Sequence, residues 1–307
     1  MKRNFKQLVA AALALGAIHT AVHAAVYIDD TRLWPNGVVP YVYADDFIEE
    51  NVVPVEAAMA VWEAVANIQF VPRTNEADYV LIRNAGEDNG SSSPFIGRNG
   101  GEQPLNIREL IYTWGQTAYT YGLAHEWGHV LGFHHTHQRT DRNTFLTYYD
   151  DRVSASGAGN YTIQNSSLKY PRNQMDFDSV MSYGQCIFST CEDCGADPDN
   201  CRVLEINDPA DFATWQTSMG QRNHLSDVDL QAMSFMYPLP GWRFIELNYA
   251  GSSETGTFHQ PYLSMATAVT SMPVGGTLWM QPASYATPAV ITKAMTLRAA
   301  RGSVLLN

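Results

Sequence analysis

The run His125-Glu126-Trp127-Gly128-His129-Val130-Leu131-Gly132-Phe133-His134-His135 organises the reading of this chain. It has the form H-E-x-x-H-x-x-G-x-x-H. Residues four apart project from one face of a helix, so His125 and His129 reach a common point. Glu126 stands beside that point but outside the ligand set. Gly132 takes positive φ at little cost and ends the helix sharply. The chain then turns back, and His135 supplies a third nitrogen. Three neutral imidazoles leave a tetrahedral zinc with one open position, the arrangement of a catalytic site. Zinc lowers the pKa of water to about 7 in such sites and polarises carbonyls. Glu126 is placed to take the water proton as general base. The plain alternative is a surface helix with polar pairs at i,i+4. Gly132 and His135 at the correct offsets argue against it. The expectation is one zinc ion per chain, held by His125, His129 and His135. His134, His137 and His224 are not selected by the spacing. The first two are expected at the surface or behind the ligands, and His224 is expected to be structural.

Downstream, Ser179-Val180-Met181-Ser182-Tyr183-Gly184 supplies a second element. An extended histidine motif followed by such a methionine turn marks one class of zinc peptidase. Met181 is expected to form an apolar floor under the histidines.

The 307 residues are 45% hydrophobic and 16% charged, which describes a folded chain able to bury a core. The formal net charge of -12 argues against a nucleic-acid partner. Lys2, Arg3 and Lys6 precede a short apolar stretch from Leu8 to Ala17, and Val22-His23-Ala24 offers small residues at a cleavage position. Residues 1–24 therefore read as a secretory signal peptide, since the apolar run is too short to span a bilayer. The chain is expected to be secreted, extracellular or periplasmic, with no membrane span. Cys186, Cys191, Cys194 and Cys201 are crowded into one stretch. They could bind a structural zinc, but in an exported chain two disulfides are the better reading, with the pairing open. Asp193, Asp197 and Asp199 in that stretch fit no calcium loop and read as a solvated acidic loop.

Val38–Tyr43, Ile68–Val71 and Tyr79–Ile82 have strand composition. Between the first two, Ala57, Val61, Trp62 and Val65 have helical spacing, with Pro54 in the first turn. A last helix is expected near Leu225–Tyr237, with Ser226 and Asp229 approximating a capping box. From residue 239 the chain changes character and becomes rich in Thr, Ser, Ala and Gly. Thr277–Met280, Ala289–Thr292 and Met295–Arg298 read as short strands, with a short helix at Ala266–Met272.

With these residues in place, the chain resembles the astacin family of metzincin peptidases. His135 is followed by Thr136-His137-Gln138-Arg139-Thr140-Asp141-Arg142, close to that family's extended signature, and Tyr183 matches the family's tyrosine. Further stretches agree from about Thr31 to Tyr237. The resemblance implies an α+β fold: a two-lobed metzincin, or zincin, catalytic domain with a twisted N-terminal sheet and an active-site helix. The zinc would lie at the floor of a cleft, and a protein or peptide substrate would bind extended along an edge strand near Ser93–Arg98. It implies a secreted zinc endopeptidase in which Tyr183 is a fifth zinc ligand that swings away to stabilise the intermediate. It also implies a frequent preference for acidic residues just after the cut.

Some positions depart from the pattern. Thr136 stands where the family has a glutamate that anchors the new N-terminus, which puts that mode of maturation in doubt. The family's two disulfides are missing as whole pairs, at Asn67 with Pro238 and at Ser92 with Trp114, and replacement by packing is expected. The domain division that follows is 1–24 signal, 25–238 catalytic, and 239–307 a short all-β segment resembling the opening of a right-handed parallel β-helix. A competing function makes that last segment the working part, in a surface- or polysaccharide-binding protein.

Overall fold

The computed structural model describes residues 32–86, 90–108, 115–164, 175–249, 251–258, 260–281, 283–286, 291–299 and 304–307. The expected signal peptide and Trp114 lie outside the described residues.

Four strands form the first sheet: β1 (Val38–Tyr43), β2 (Gln69–Pro72), β3 (Tyr79–Asn84) and β4 (Glu102–Ile107). Their order is β2-β1-β3-β4 and every pairing is parallel. Val80 and Ile82 on β3, and Leu105 and Ile107 on β4, are fully buried, while their neighbours in sequence are not. Parallel sheets are usually covered on both faces. Here the alternation shows one covered face, and α1 (Val52–Glu63) and α2 (Gln116–Leu131) help to cover it. Trp62 of α1 fixes the contact between the helices: its indole N–H donates to the Ala124 carbonyl at 2.9 Å, and its ring stacks on Phe133. Helix α1 begins two residues before the expected proline and ends four before Asn67, because Ala66 and Ile68 enter the core as an irregular connection.

The edge strand differs from expectation. Among the described residues of 90–98, only Ser92 pairs with β4, through an antiparallel bridge to Asn106 with N–H···O distances of 2.9 Å both ways. Residues 93–98 are irregular because the chain turns toward α2, where the Gly97 N–H donates to the His129 carbonyl at 2.8 Å.

The second lobe is built on less regular structure. The one-turn helix α3 (Arg142–Phe145) leads into β5 (Leu146–Tyr148), which pairs antiparallel with β6 (Leu204–Ile206). The one-turn α4 (Pro198–Cys201) and then α5 (Pro209–Trp215) flank β6. Leu146, Tyr161, Met175, Phe177, Val203, Leu204 and Met219 form its core. The four cysteines pair as Cys186–Cys194 and Cys191–Cys201. Helix α6 (Asp227–Met236) returns the chain to the first core, with the Ser226–Asp229 capping box formed. At its end the Asn67 N–H donates to the Tyr237 carbonyl at 2.9 Å. That bond joins the two regions in which one family disulfide is missing.

Residues beyond 239 add β7 (Trp242–Ile245), α7 (Met265–Ser271), β8 (Thr277–Met280), β9 (Ala283–Tyr285), β10 (Thr296–Ala299) and β11 (Val304–Leu306). Strands β7, β8 and β10 pair in parallel, as do β9 and β11. Of the expected strand at 289–292, residues 289 and 290 lie outside the described residues, and Ile291 and Thr292 are irregular. This segment has its own core around Ile245, Met265, Leu278 and Tyr285. It meets the catalytic part through aromatic rings: Phe258 stacks on Phe235 of α6 at 4.5 Å, and Phe244 and Trp279 approach Phe235 edge-on.

Candidate metal centre and cleft

Helix α2 carries His125 and His129 one turn apart, both buried. It ends at Gly132, whose φ is +123°. The Gly132 N–H donates to His129 O at 3.0 Å and the Phe133 N–H to Gly128 O at 2.9 Å, the bond pair of a Schellman stop. This stop folds the chain back and brings His135 against the helix. His135 Nε2 lies 3.1 Å from His129 Nε2 and 3.3 Å from His125 Nε2.

The outer nitrogens explain the inner ones. His125 Nδ1 is 2.8 Å from Val180 O, and His129 Nδ1 is 2.8 Å from Phe133 O. A carbonyl only accepts, so both Nδ1 atoms carry the proton and both Nε2 lone pairs point inward. Burial holds all three rings neutral by pushing their pKa values down, His129 to about 4. Lone pairs facing one another at such distances call for a cation between them. The spacing matches nitrogens sharing one tetrahedral ion with bonds of about 2.0–2.1 Å. The donor set therefore fits zinc, and it is the one metal-ligating cluster found among the described residues.

Gly132 is a point of sensitivity. An alanine there must adopt a φ that side chains avoid, at a cost of about 1–2 kcal/mol or more. Gly132→Ala is expected to lower Tm and weaken zinc retention together, because the stop places His135; a chelator competition read beside a thermal melt checks both.

Glu126 is partly exposed in the cleft wall. Its Oε2 accepts the Ser93 N–H at 2.9 Å. Desolvation pushes its pKa up to about 8, against the opposing pull of that N–H and of Arg222. The Tyr183 ring lies 4.2 Å from the His135 ring. Desolvation and the Glu126 charge raise its phenol pKa, so the hydroxyl keeps its proton.

Met181 is fully buried. Its Sδ lies so close under α2 that a Cβ at Gly128 would come within 2.6 Å of it. The turn around it is held by Asp229, whose carboxylate accepts Ser179 Oγ–H at 2.6 Å, Val180 N–H at 2.8 Å and Ser226 N–H at 3.0 Å. One capping carboxylate thus starts α6 and fixes the segment whose Val180 carbonyl orients His125. Thr136 is also buried, donating its N–H to Met181 O at 3.1 Å and its hydroxyl to Ser182 Oγ at 2.9 Å. His134 and His137 are buried and not at the surface. His137 packs against the rings of His135, Tyr183 and Tyr161, with Nε2 3.0 Å from Asn160 O. His224 is half exposed and 2.9 Å from Asp178.

Arg222 escaped the sequence reading. It is partly exposed in the cleft, and its Nη1 donates to the carbonyls of Ser182, Gly220 and Gln221. The cleft encloses about 820 Å³ and is lined by the three ligand histidines, Glu126, Tyr183, Arg222 and Ser91–Ser93.

These histidines also set a pH limit on the fold. Burial drives His129 and His134 down to about 4 and His137 to about 3. Between the ordinary value near 6.5 and these values, the unfolded chain binds protons that the folded chain excludes. Stability of the zinc-free protein is therefore expected to be full above pH 6.5 and to fall as pH drops toward 4. Each tenfold difference in proton affinity is worth about 1.4 kcal/mol. Denaturant melts across pH 4–7 read the slope.

The family model described as Astacin (Peptidase family M12A) matches residues 26–238. Among curated proteins, the chain is 29% identical over 225 residues to Astacin-like metalloprotease toxin 1 of Loxosceles intermedia, covering 73% of this chain and 78% of that protein. It is 28% identical over 214 residues to Tolloid-like protein 1 of Homo sapiens, covering 68% of this chain but only 19% of that much longer protein. Among solved structures, it resembles High choriolytic enzyme 1, a hatching enzyme zinc-protease of Oryzias latipes, with TM-score 0.54, 27% identity, and coverage of 69% of this chain and 97% of that one.

Proposed function

The chain belongs to the astacin family and is a zinc metalloendopeptidase, and from that premise we propose how its own residues divide the work. His125, His129 and His135 hold the zinc. Zinc, when bound, supplies a Lewis acid that polarises the scissile carbonyl and acidifies water. Glu126 is the general base: it takes the proton of the attacking water and passes it to the leaving amine. Its place in the cleft wall, beside the three histidines, supports this role. Tyr183, kept protonated and beside His135, donates a hydrogen bond to the oxyanion as it develops. Met181 and Gly132 act by position, one as the floor and the other as the stop.

Substrate lies extended along Ser91–Ser93. The Ser92 amide and carbonyl both face β4. By alternation, the backbone groups of Ser91 face the cleft, where an added peptide strand can pair with them, while the Ser93 N–H is held by Glu126. Arg222 offers a positive charge in that cleft, which supports preference for an acidic side chain next to the cut.

Residues 1–24 are a signal peptide and the protein is secreted. All four cysteines pair, as an oxidising compartment favours. No described helix is long and apolar enough to cross a membrane. Residues 25–238 are the catalytic domain and 239–307 a β-helix-like segment docked on it. The single observation that carries the reading is the inward convergence of three Nε2 atoms beside Glu126. Cleavage-site profiling on a peptide library, with and without chelator, tests it. Arg222→Gln is expected to lower the ratio of acidic to neutral residues beside the cut about tenfold. Activity that survives chelation would refute the zinc reading, and an unchanged Arg222→Gln profile would refute the role of Arg222.

A further inference from the structure

The stretch that follows Tyr183 carries a feature the zinc chemistry does not use. Ile187 and Phe188 are consecutive, large and apolar, and remain 42% and 40% exposed. Of the large apolar side chains left exposed among the described residues, these two line the cleft and the others do not. Scattered exposed apolar residues are ordinary; an adjacent pair fixed beside a catalytic centre is not.

Their backbone is held from several directions. The disulfides Cys186–Cys194 and Cys191–Cys201 staple the loop that carries them. Tyr161 Oη–H donates to Ile187 O at 2.5 Å, and the Ser154 N–H donates to Phe188 O at 2.8 Å. Val153 and Ser189 form an antiparallel bridge. Phe188 sits at φ +58°, in the left-handed region that a bulky residue adopts only when its surroundings impose it. Its side chain rests on Gly157, where a Cβ would come within 2.3 Å of Phe188 Cβ and Cγ. The Phe188 ring lies 6.0 Å from that of Tyr183. Gly184 and Gly220 line the cleft with the pair, and they pack so closely that a Cβ at Gly220 would come within 2.2 Å of the Gly184 nitrogen.

We propose that Ile187 and Phe188 form the apolar wall of a substrate subsite beside Tyr183, which takes a large aliphatic or aromatic side chain of the bound peptide. The proposal rests on the endopeptidase reading of the cleft. The occupant is apolar because only an apolar group gains from covering these two surfaces without stranding a polar atom. It is a substrate side chain because the wall is continuous with the cleft that holds Glu126 and the three histidines. Covering the exposed parts of both side chains is worth roughly a 10- to 30-fold gain in kcat/KM.

The test uses the full chain and the two variants Ile187→Ser and Phe188→Gly. Glycine tolerates the left-handed conformation, so the second variant removes the ring without straining the loop. The parent protein is expected to enrich large apolar residues at one fixed position relative to the cut. In each variant, the ratio of kcat/KM for a peptide with Leu there over one with Ala is expected to fall about three- to fivefold, with one zinc per chain retained. A parent profile without apolar enrichment, or variants that keep the parent ratio, overturns the subsite alone. A parent protein that cleaves no peptide overturns the endopeptidase reading and the subsite with it.

Discussion

Glu126→Gln is expected to lower kcat/KM for peptide hydrolysis by about 10²–10⁴, the usual contribution of a general acid–base group. Glutamine keeps the shape and an acceptor for the Ser93 N–H, which Glu126 receives at 2.9 Å. It removes only the capacity to take up and release a proton. Zinc content and Tm should therefore stay at the parent values while turnover collapses. Because the effect lies on the chemical step, KM should change little. A variant that retains parent turnover would remove Glu126 from the mechanism.

The second large effect lies away from the metal. Asp229→Ala is expected to destabilise the fold by about 3 kcal/mol or more. Three buried donors, on Ser179, Val180 and Ser226, lose their acceptor together. Each unsatisfied group costs about 1–3 kcal/mol. For a chain of this size, Tm should fall by roughly 6–12 °C. The Val180 carbonyl also orients His125. Zinc affinity should fall about 10- to 100-fold, as when other partners of metal ligands are removed. Thermal melts with and without added zinc separate the two: a purely structural role leaves zinc affinity unchanged in the fraction that folds.

Much of this was legible in the sequence because it is local. The helix, its glycine stop and the return of His135 are specified within eleven consecutive residues. The strand at Val38–Tyr43 falls where its β-branched and aromatic composition placed it, and Ser226 and Asp229 carry their capping pattern in four residues. What was missed depends on distance in the chain. Nothing near Asp229 indicates that its carboxylate also reaches Ser179 and Val180, fifty positions away. Of the two places expected for His137, the one behind His135 is occupied, because Tyr161 and Tyr183 close over it from two separate segments. The edge strand expected at Ser93–Arg98 is a single bridge at Ser92, because the chain that follows turns to α2 through the Gly97 N–H and meets β4 only through the Gln103 side chain and not through a backbone ladder. Cysteine pairing is set by how the loop folds, and spacing carries no record of that.

Thr136 takes a definite place in this picture. Where the resemblance implied a glutamate that anchors the mature N-terminus, this chain has a buried hydroxyl bonded to Ser182. The side chain ties the turn after His135 to the methionine turn. The two halves of the zinc site are thereby joined by Thr136 on one side and by the Val180 carbonyl on the other.

The most direct measurement is zinc stoichiometry set against peptide cleavage in one preparation of the full chain. One zinc per chain is predicted, with cleavage lost on chelation, restored by one equivalent of zinc, and absent from Glu126→Gln at full zinc occupancy. Cleavage that persists in zinc-free protein, or in zinc-loaded Glu126→Gln, would contradict the account.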